Sequence, residues 1–431
     1  MLIPKEIPDL LHRTENYLTN VLLPFWMERS ADSEYGGFLT YFDRNGNVTG
    51  ETTKTFLMQI RMLFTFSHAH RCGYGGGRCA DLARKAAEFI LDHYWDDEHD
   101  GWFWIADREG RPTCKSKVGY GQCFALYAFS EYALATGDAR GREAAERTYN
   151  AICGHMVDTA RGGYYEIMRQ DWQPEPGERG GGDRKSMDVH MHLMEALTTY
   201  YEMTGHPSHR RRLIEVIDIL TTRMLHSLHG TGYMQFTLDF KPLPAIMFDV
   251  EWGSNEDPED GVARPVDLTS YGHNMEFVWL LLHSADCLGQ PRSAYKQIAR
   301  RIGDHSLRYG IDAELGGVYI EGPVVSPPQN RRKQFWQQAE VLVALLDGFD
   351  LFKDDAYWRA FCNTHAFVFE KFINLPAGGE WRALLERDGT PVWDYLGDAW
   401  KISYHTVRSM IEICSRLRLI GKQFPEISDK L

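Results

Sequence analysis

Acidic, basic and aromatic residues recur at the starts of apolar runs in this chain. Arg61 lies inside FLMQIRMLF and Tyr120 opens YGQCFALYAF. Asp188, His190 and His192 open SMDVHMHLMEAL, and His273 and Glu276 open SYGHNMEFVWLL. Trp336 and Glu340 lie in QFWQQAEVLVALL, and Trp400 precedes Tyr404, His405 and Arg408 in WKISYHTVRSM. Polar groups at the starts of buried helices need partners or a solvated pocket, and one shared pocket satisfies them all.

These residue types favour proton transfer at carbon. A general base removes a hydrogen next to a carbonyl and leaves an enediolate. The oxyanion then needs a cation or hydrogen-bond donor already in place. Inverting the carbon takes a base on one face and an acid on the other. His273 and His405, on different helices, supply that pair, and Arg61 is the natural oxyanion donor. Glu276 shares a helix face with His273 at i, i+3, where a carboxylate is expected to orient the ring and raise its basicity. His190 and His192 are two residues apart, so at most one faces the pocket. Trp336, Trp381 and Trp400 suit the C–H faces of a sugar. Glu340, His68, His70, His226 and His229 are expected to be structural.

The elements that must position these residues repeat six times. A turn with paired glycines and aromatic residues recurs as EYGGFLTYF, HDGWFWIA, ARGGYYEI, GTGYMQF, ELGGVYIE and AGGEWRALL. Three copies run on into DRNGNV, DREGRP and ERDGTP, a short hairpin signal. An amphipathic helical segment precedes each copy, and a helix apolar nearly all round follows it. The unit of outer helix, hairpin and inner helix predicts an all-α (α/α)6 barrel, with hairpins at the cavity mouth and residues 1–431 forming one catalytic domain. The stretch QPEPGERGGGDRKS is expected to be a long connection over that mouth.

Composition narrows the partners. Hydrophobic residues make up 43% of the 431 and charged residues 25%, ordinary for a globular protein. The net charge of −13 argues against nucleic acid and anionic membranes. No segment reads as a signal peptide or a membrane span. The eight cysteines form no zinc-type pairs and are expected to be reduced, in the cytoplasm. No His-Glu-x-x-His helix or phosphate-binding loop appears. Three other classes remain: an (α/α)6 glycoside hydrolase using two of Asp188, Glu276 and Glu340, a zinc enzyme, and a sugar-binding protein without catalysis.

The segments RKSMDVHMHLMEALTTYYEMTG, TSYGHNMEFVWLL, FWQQAEVLVALL, GGEWRALLERDGTP and WKISYHTVR resemble the N-acylglucosamine 2-epimerase superfamily, most closely its cellobiose and mannose 2-epimerases. The resemblance implies epimerisation at C2 of a reducing sugar without a cofactor, by a monomer or homodimer, on a mono- or disaccharide. A mannose–fructose isomerase of the same superfamily is the alternative. By position, His273 and His405 match the acid/base pair, Glu276 the carboxylate paired with the first, and His192 a histidine that helps ring opening or stabilises the intermediate. Arg61 matches the arginine near the reacting oxygens, and Tyr120, Trp279, Trp336 and Trp400 match substrate-side aromatics. Asp188 departs from the usual Asn, and Phe335 from the usual Trp.

Overall fold

The computed structural model describes residues 4–250 and 262–428. Six helices form the inner layer: α3 (Phe56–Arg71), α5 (Gly119–Thr136), α7 (Met187–Thr204), α9 (Tyr271–Cys287), α11 (Phe335–Phe352) and α13 (Ser403–Gly421). Each packs on the next, and α13 returns to α3, so the ring closes. The outer layer is α1 (Ile7–Tyr17) with α2 (Leu23–Arg29), then α4 (Gly76–His93), α6 (Ala139–Ala151), α8 (Pro207–Arg223), α10 (Lys296–His305) and α12 (Asp355–Phe367). α4, α6, α8, α10 and α12 each lie against the inner helix that precedes them, and α1 lies against α13. The arrangement is the (α/α)6 barrel that the repeat predicts.

Burial explains the two kinds of helix. Every residue of α5 from Gly119 to Ala133 is buried, so it has no polar face to keep. In α8 only Leu213, Val216, Ile217, Ile219 and Leu220 are buried, a single stripe at helical spacing.

Short strands tie neighbouring units together. Lys54–Thr55, just before α3, pairs antiparallel with Ile105–Ala106 of the next hairpin. The same pairing recurs before α5, α7, α9 and α11, and a bridge between Phe42 and Gly397 closes the circle. A polar side chain at the fourth position of each inner helix grips a hairpin. Gln59 accepts from the Phe38 amide at 2.9 Å and donates to its carbonyl at 2.8 Å. Gln122 and Gln338 do the same for Trp102 and Val318. His190 takes this place in α7, its Nε2 accepting from the Tyr164 amide. The paired glycines permit the approach: a Cβ on Gly37 (φ +64°) would lie 2.7 Å from Gln59 Oε1, and one on Gly163 (φ +77°) 2.8 Å from His190 Nε2.

Beneath these turns lie buried ion pairs: Lys54–Asp32, Lys117–Asp96, Lys185–Asp158, Lys333–Asp312 and Lys401–Glu380. Lys54, Lys185 and Lys333 each also donate to two backbone carbonyls. In the fourth unit Thr269 and His226 stand at the two positions, and both charges are gone together. The eight cysteines are free thiols.

Candidate active site

One register sets the site. The sixth residues of the six inner helices are Arg61, Phe124, His192, Glu276, Glu340 and Arg408, all buried. They form one tier around the axis. The tier nearer the mouth carries Tyr120, Asp188, His273, Trp336 and His405, while Tyr404 turns inward to Glu195 and Arg408.

Arg408 ties the tier together. Its guanidinium donates to Glu340 Oε1 at 2.7 Å and Glu276 Oε1 at 3.2 Å, and also to Glu195 and the Tyr404 hydroxyl. Two of these carboxylates aim imidazoles. His405 Nδ1 lies 2.6 Å from Glu340 Oε1 and His192 Nδ1 lies 2.8 Å from Glu195 Oε2. A carboxylate only accepts, so each Nδ1 carries its hydrogen and each Nε2 is presented to the site. Glu276, Glu340 and His405 converge closely enough for a single ion. The cation lying against both carboxylates there is Arg408.

The catalytic histidines expected from sequence come together around Trp336. Its ring centre is 4.6 Å from that of His273 and 5.7 Å from that of His405. His273 Nδ1 lies 2.9 Å from Ser270 Oγ, which caps α9. Burial pulls the His273 pKa below its ordinary 6.5, against the charge of Asp188. Burial takes His405 further, to about 3, despite Glu340. Both are therefore neutral at pH 7 and available as bases. For His192, burial is outweighed by hydrogen bonds to Asp188 and Glu195, which lift its pKa to about 10. It stays an imidazolium.

Arg61 is 2% exposed, and among the described residues it makes no ion pair. Its Nη2 donates to the Tyr120 hydroxyl at 2.5 Å and its Nη1 to the Trp400 carbonyl at 3.4 Å, while Nε has no partner. A buried guanidinium without a carboxylate is poised for an anion that arrives with the substrate or forms during the reaction. Tyr120, Trp400 and Phe124 pack around it. Beside Asp188 and Trp400 opens a cavity of about 190 Å³, also lined by Glu166, Ser186, Gln235 and Phe248. The connection at 175–180 lines an adjacent depression.

Four expectations change. Glu276 does not pair with His273: the capping Ser270 takes the imidazole Nδ1, and Glu276 turns inward to Arg408. Glu340 is the carboxylate that orients His405 and is not merely structural. Trp279 lies beneath the site, donating from its indole to Glu340 Oε2 at 2.9 Å. Trp381 is fully buried and donates to the Tyr17 hydroxyl from α1, so it has no sugar-facing surface. Glu195 was missed. Its signal is its place three residues after His192, the spacing that sequence reasoning assigned to Glu276.

The comparisons agree with this architecture. The family model described as N-acylglucosamine 2-epimerase (GlcNAc 2-epimerase) matches residues 36–409, and the chain belongs to that family. It is similar to the cellobiose 2-epimerase of Bacteroides fragilis, 28% identical over 94% of this chain and 98% of the relative. It is also similar to the D-mannose isomerase of Marinomonas mediterranea, 24% identical over 92% of this chain and 95% of the relative. The solved cellobiose 2-epimerase of Spirochaeta thermophila superposes with a TM-score of 0.83 at 26% identity, over 96% of this chain and 98% of that one.

Proposed function

We propose that the whole chain acts as one catalytic domain that interconverts the glucose and mannose configurations at C2 of a reducing sugar. The cellobiose 2-epimerase and D-mannose isomerase relatives support a sugar substrate and chemistry next to its carbonyl. The observation that carries the reading is the pairing of two neutral imidazoles on one indole, beside a buried arginine that makes no ion pair among the described residues.

In the open-chain aldose, neutral His405 removes the C2 proton through Nε2. The electrons of the broken C–H bond move into C1–C2, and negative charge collects on the C1 oxygen. Arg61 and Tyr120 stabilise that enediolate by donating to it. His273, which for this direction has taken up a proton by exchange with water, delivers it to C2 from the other face, and C1 returns to a carbonyl. The reverse reaction exchanges the two roles. His192, held as an imidazolium, donates to the ring oxygen or hydroxyl that must pick up charge as the pyranose opens.

Glucose, mannose and cellobiose incubated with the protein in heavy water test this by NMR. The reading expects deuterium at C2 of the epimer and a product of unchanged carbon skeleton. Release of a shorter sugar from cellobiose, or no exchange at C2 of any of the three, overturns it.

A further inference from the structure

In the fourth unit two histidines take the places of an ion pair. In the first unit Asp32 Oδ1 accepts from the amides two and three residues on, at 3.1 and 3.4 Å. Asp96, Asp158 and Asp312 make the same two contacts. In the fourth unit His226 Nδ1 accepts them instead, from Leu228 and His229 at 3.3 and 3.4 Å. The lysine has a counterpart too. Lys54 pairs with Ala106 in the strand register, and its ammonium donates to the carbonyl two residues beyond, that of Arg108. Lys185 with Leu238 and Lys333 with Arg387 follow the same rule. Thr269 pairs with Gly322, so the matching carbonyl in the fourth unit is that of Val324. His305, the last residue of α10, donates to it from Nε2 at 2.7 Å.

The aspartate–lysine clamps hold with both partners charged, whereas this one holds only with both rings uncharged. A nitrogen that accepts from two amides carries no proton, so a proton on His226 Nδ1 would face two N–H groups. His305 gives its Nε2 hydrogen to Val324, and its Nδ1 is buried with no partner. A proton there would be an unsatisfied buried donor. Facing the two rings are His229 and Tyr233 of the same hairpin, Arg301 of α10, which donates to the Ser227 carbonyl, Arg308 and Tyr309 just beyond it, and Tyr271 of α9. Burial, with His229 beside them, pulls both rings below the ordinary 6.5, against the Val324 hydrogen bond on His305.

We propose that this histidine clamp is a proton-sensitive catch on the fourth hairpin. The rings bind protons more readily once the hairpin is open, so the closed form is stable at and above neutrality and loses stability as the pH falls. His226 and His305 then take up protons and residues 225–237 come free, while the charged clamps of the other units hold. The freed segment includes Met234 and Gln235, which line the cavity beside Asp188, and its strand Gln235–Thr237 pairs with the strand just before α7. Asn274 of α9 grips the same hairpin through the Gly232 amide at 2.8 Å. Acid thus loosens the cavity wall between the helices that carry His192 and His273. The catch does not depend on the reaction proposed above.

Hydrogen exchange of the whole protein tests it, read by mass spectrometry at about pH 7.5 and about pH 5 and corrected for the intrinsic rate of each amide. Peptides covering 225–237 are expected to exchange at least ~10-fold faster at the lower pH, while those covering 31–38 and 311–318 hold. His226→Asn keeps an acceptor for the two amides but takes up no proton, and it is expected to remove most of the rise. No rise at 225–237, an equal rise in all three hairpins, or a variant that keeps most of the rise overturns the catch. Where the variant does not fold, the comparison among hairpins of the wild-type protein decides alone.

Discussion

His405 Nδ1 lies 2.6 Å from Glu340 Oε1, and the same oxygen accepts from Arg408 at 2.7 Å. The arginine holds the carboxylate, the carboxylate fixes the imidazole tautomer, and the lone pair of Nε2 is left for the sugar. Arg408, Glu195 and His192 repeat this logic across the barrel. Two imidazoles with opposite protonation states are thus built from one guanidinium.

Removing the carboxylate that aims His405 costs catalysis more than stability. Glu340→Gln is expected to lower kcat by about 10²-fold, and His405→Ala or His273→Ala by at least that. Circular dichroism and a thermal melt check that each variant is folded. Near-normal turnover in either alanine variant removes that histidine from the mechanism.

Arg61 acts on the charged intermediate. Arg61→Met is expected to lower kcat by about 10²–10³-fold, the usual cost of losing an oxyanion donor. KM changes less, because the ground-state aldehyde carries no charge. Steady-state kinetics on mannose separate the two effects.

The pH profile follows from the two kinds of imidazole. In the direction in which His273 is the base, activity is lost as that ring gains a proton, and burial has moved its pKa below 6.5, so that loss lies below pH 6.5. On the other side, His192 loses its proton near 10, and kcat falls there. A profile of kcat/KM from pH 4 to 11 shows the loss near pH 10 and none between pH 6.5 and that point. A bell centred near pH 5 contradicts the assignment.

The buried clamps govern stability. Lys185 and Asp158 have almost no exposed surface. Lys185→Met leaves Asp158 with only the partly exposed Arg161 as counter-charge and is expected to destabilise the fold by about 3 kcal/mol. Adding Asp158→His, with Lys185→Thr in place of Met, copies the uncharged fourth unit and recovers part of that loss. Urea unfolding of the two variants measures the difference.

Much of this was legible in the sequence because the repeat is strong. Paired glycines and all-round apolar helices define the barrel without any coordinates, and buried polar residues at helix starts single out His273, His405, His192 and Arg61. Partners are harder to read, because they depend on which way a side chain turns. Glu276 and Glu195 each follow a histidine by three residues, yet only Glu195 bonds its histidine, since Ser270 had already taken the Nδ1 of His273. Glu340 and His405 are 65 apart in the chain, so no local spacing links them. Trp381 shares the glycine-rich hairpin signature but points into the α1 interface, a direction composition does not encode. The register of the sixth inner-helix residues was open to reading and would have placed Glu340 and Arg408 in the site.

The account turns on where C2 sits. A crystal structure of the protein soaked with an open-chain sugar alcohol such as mannitol places that carbon directly. C2 is expected to lie between His273 and His405, with each Nε2 about 3–3.5 Å away on opposite faces and the C1 oxygen against Arg61. A C2 that touches only one of the two imidazoles, or neither, contradicts it.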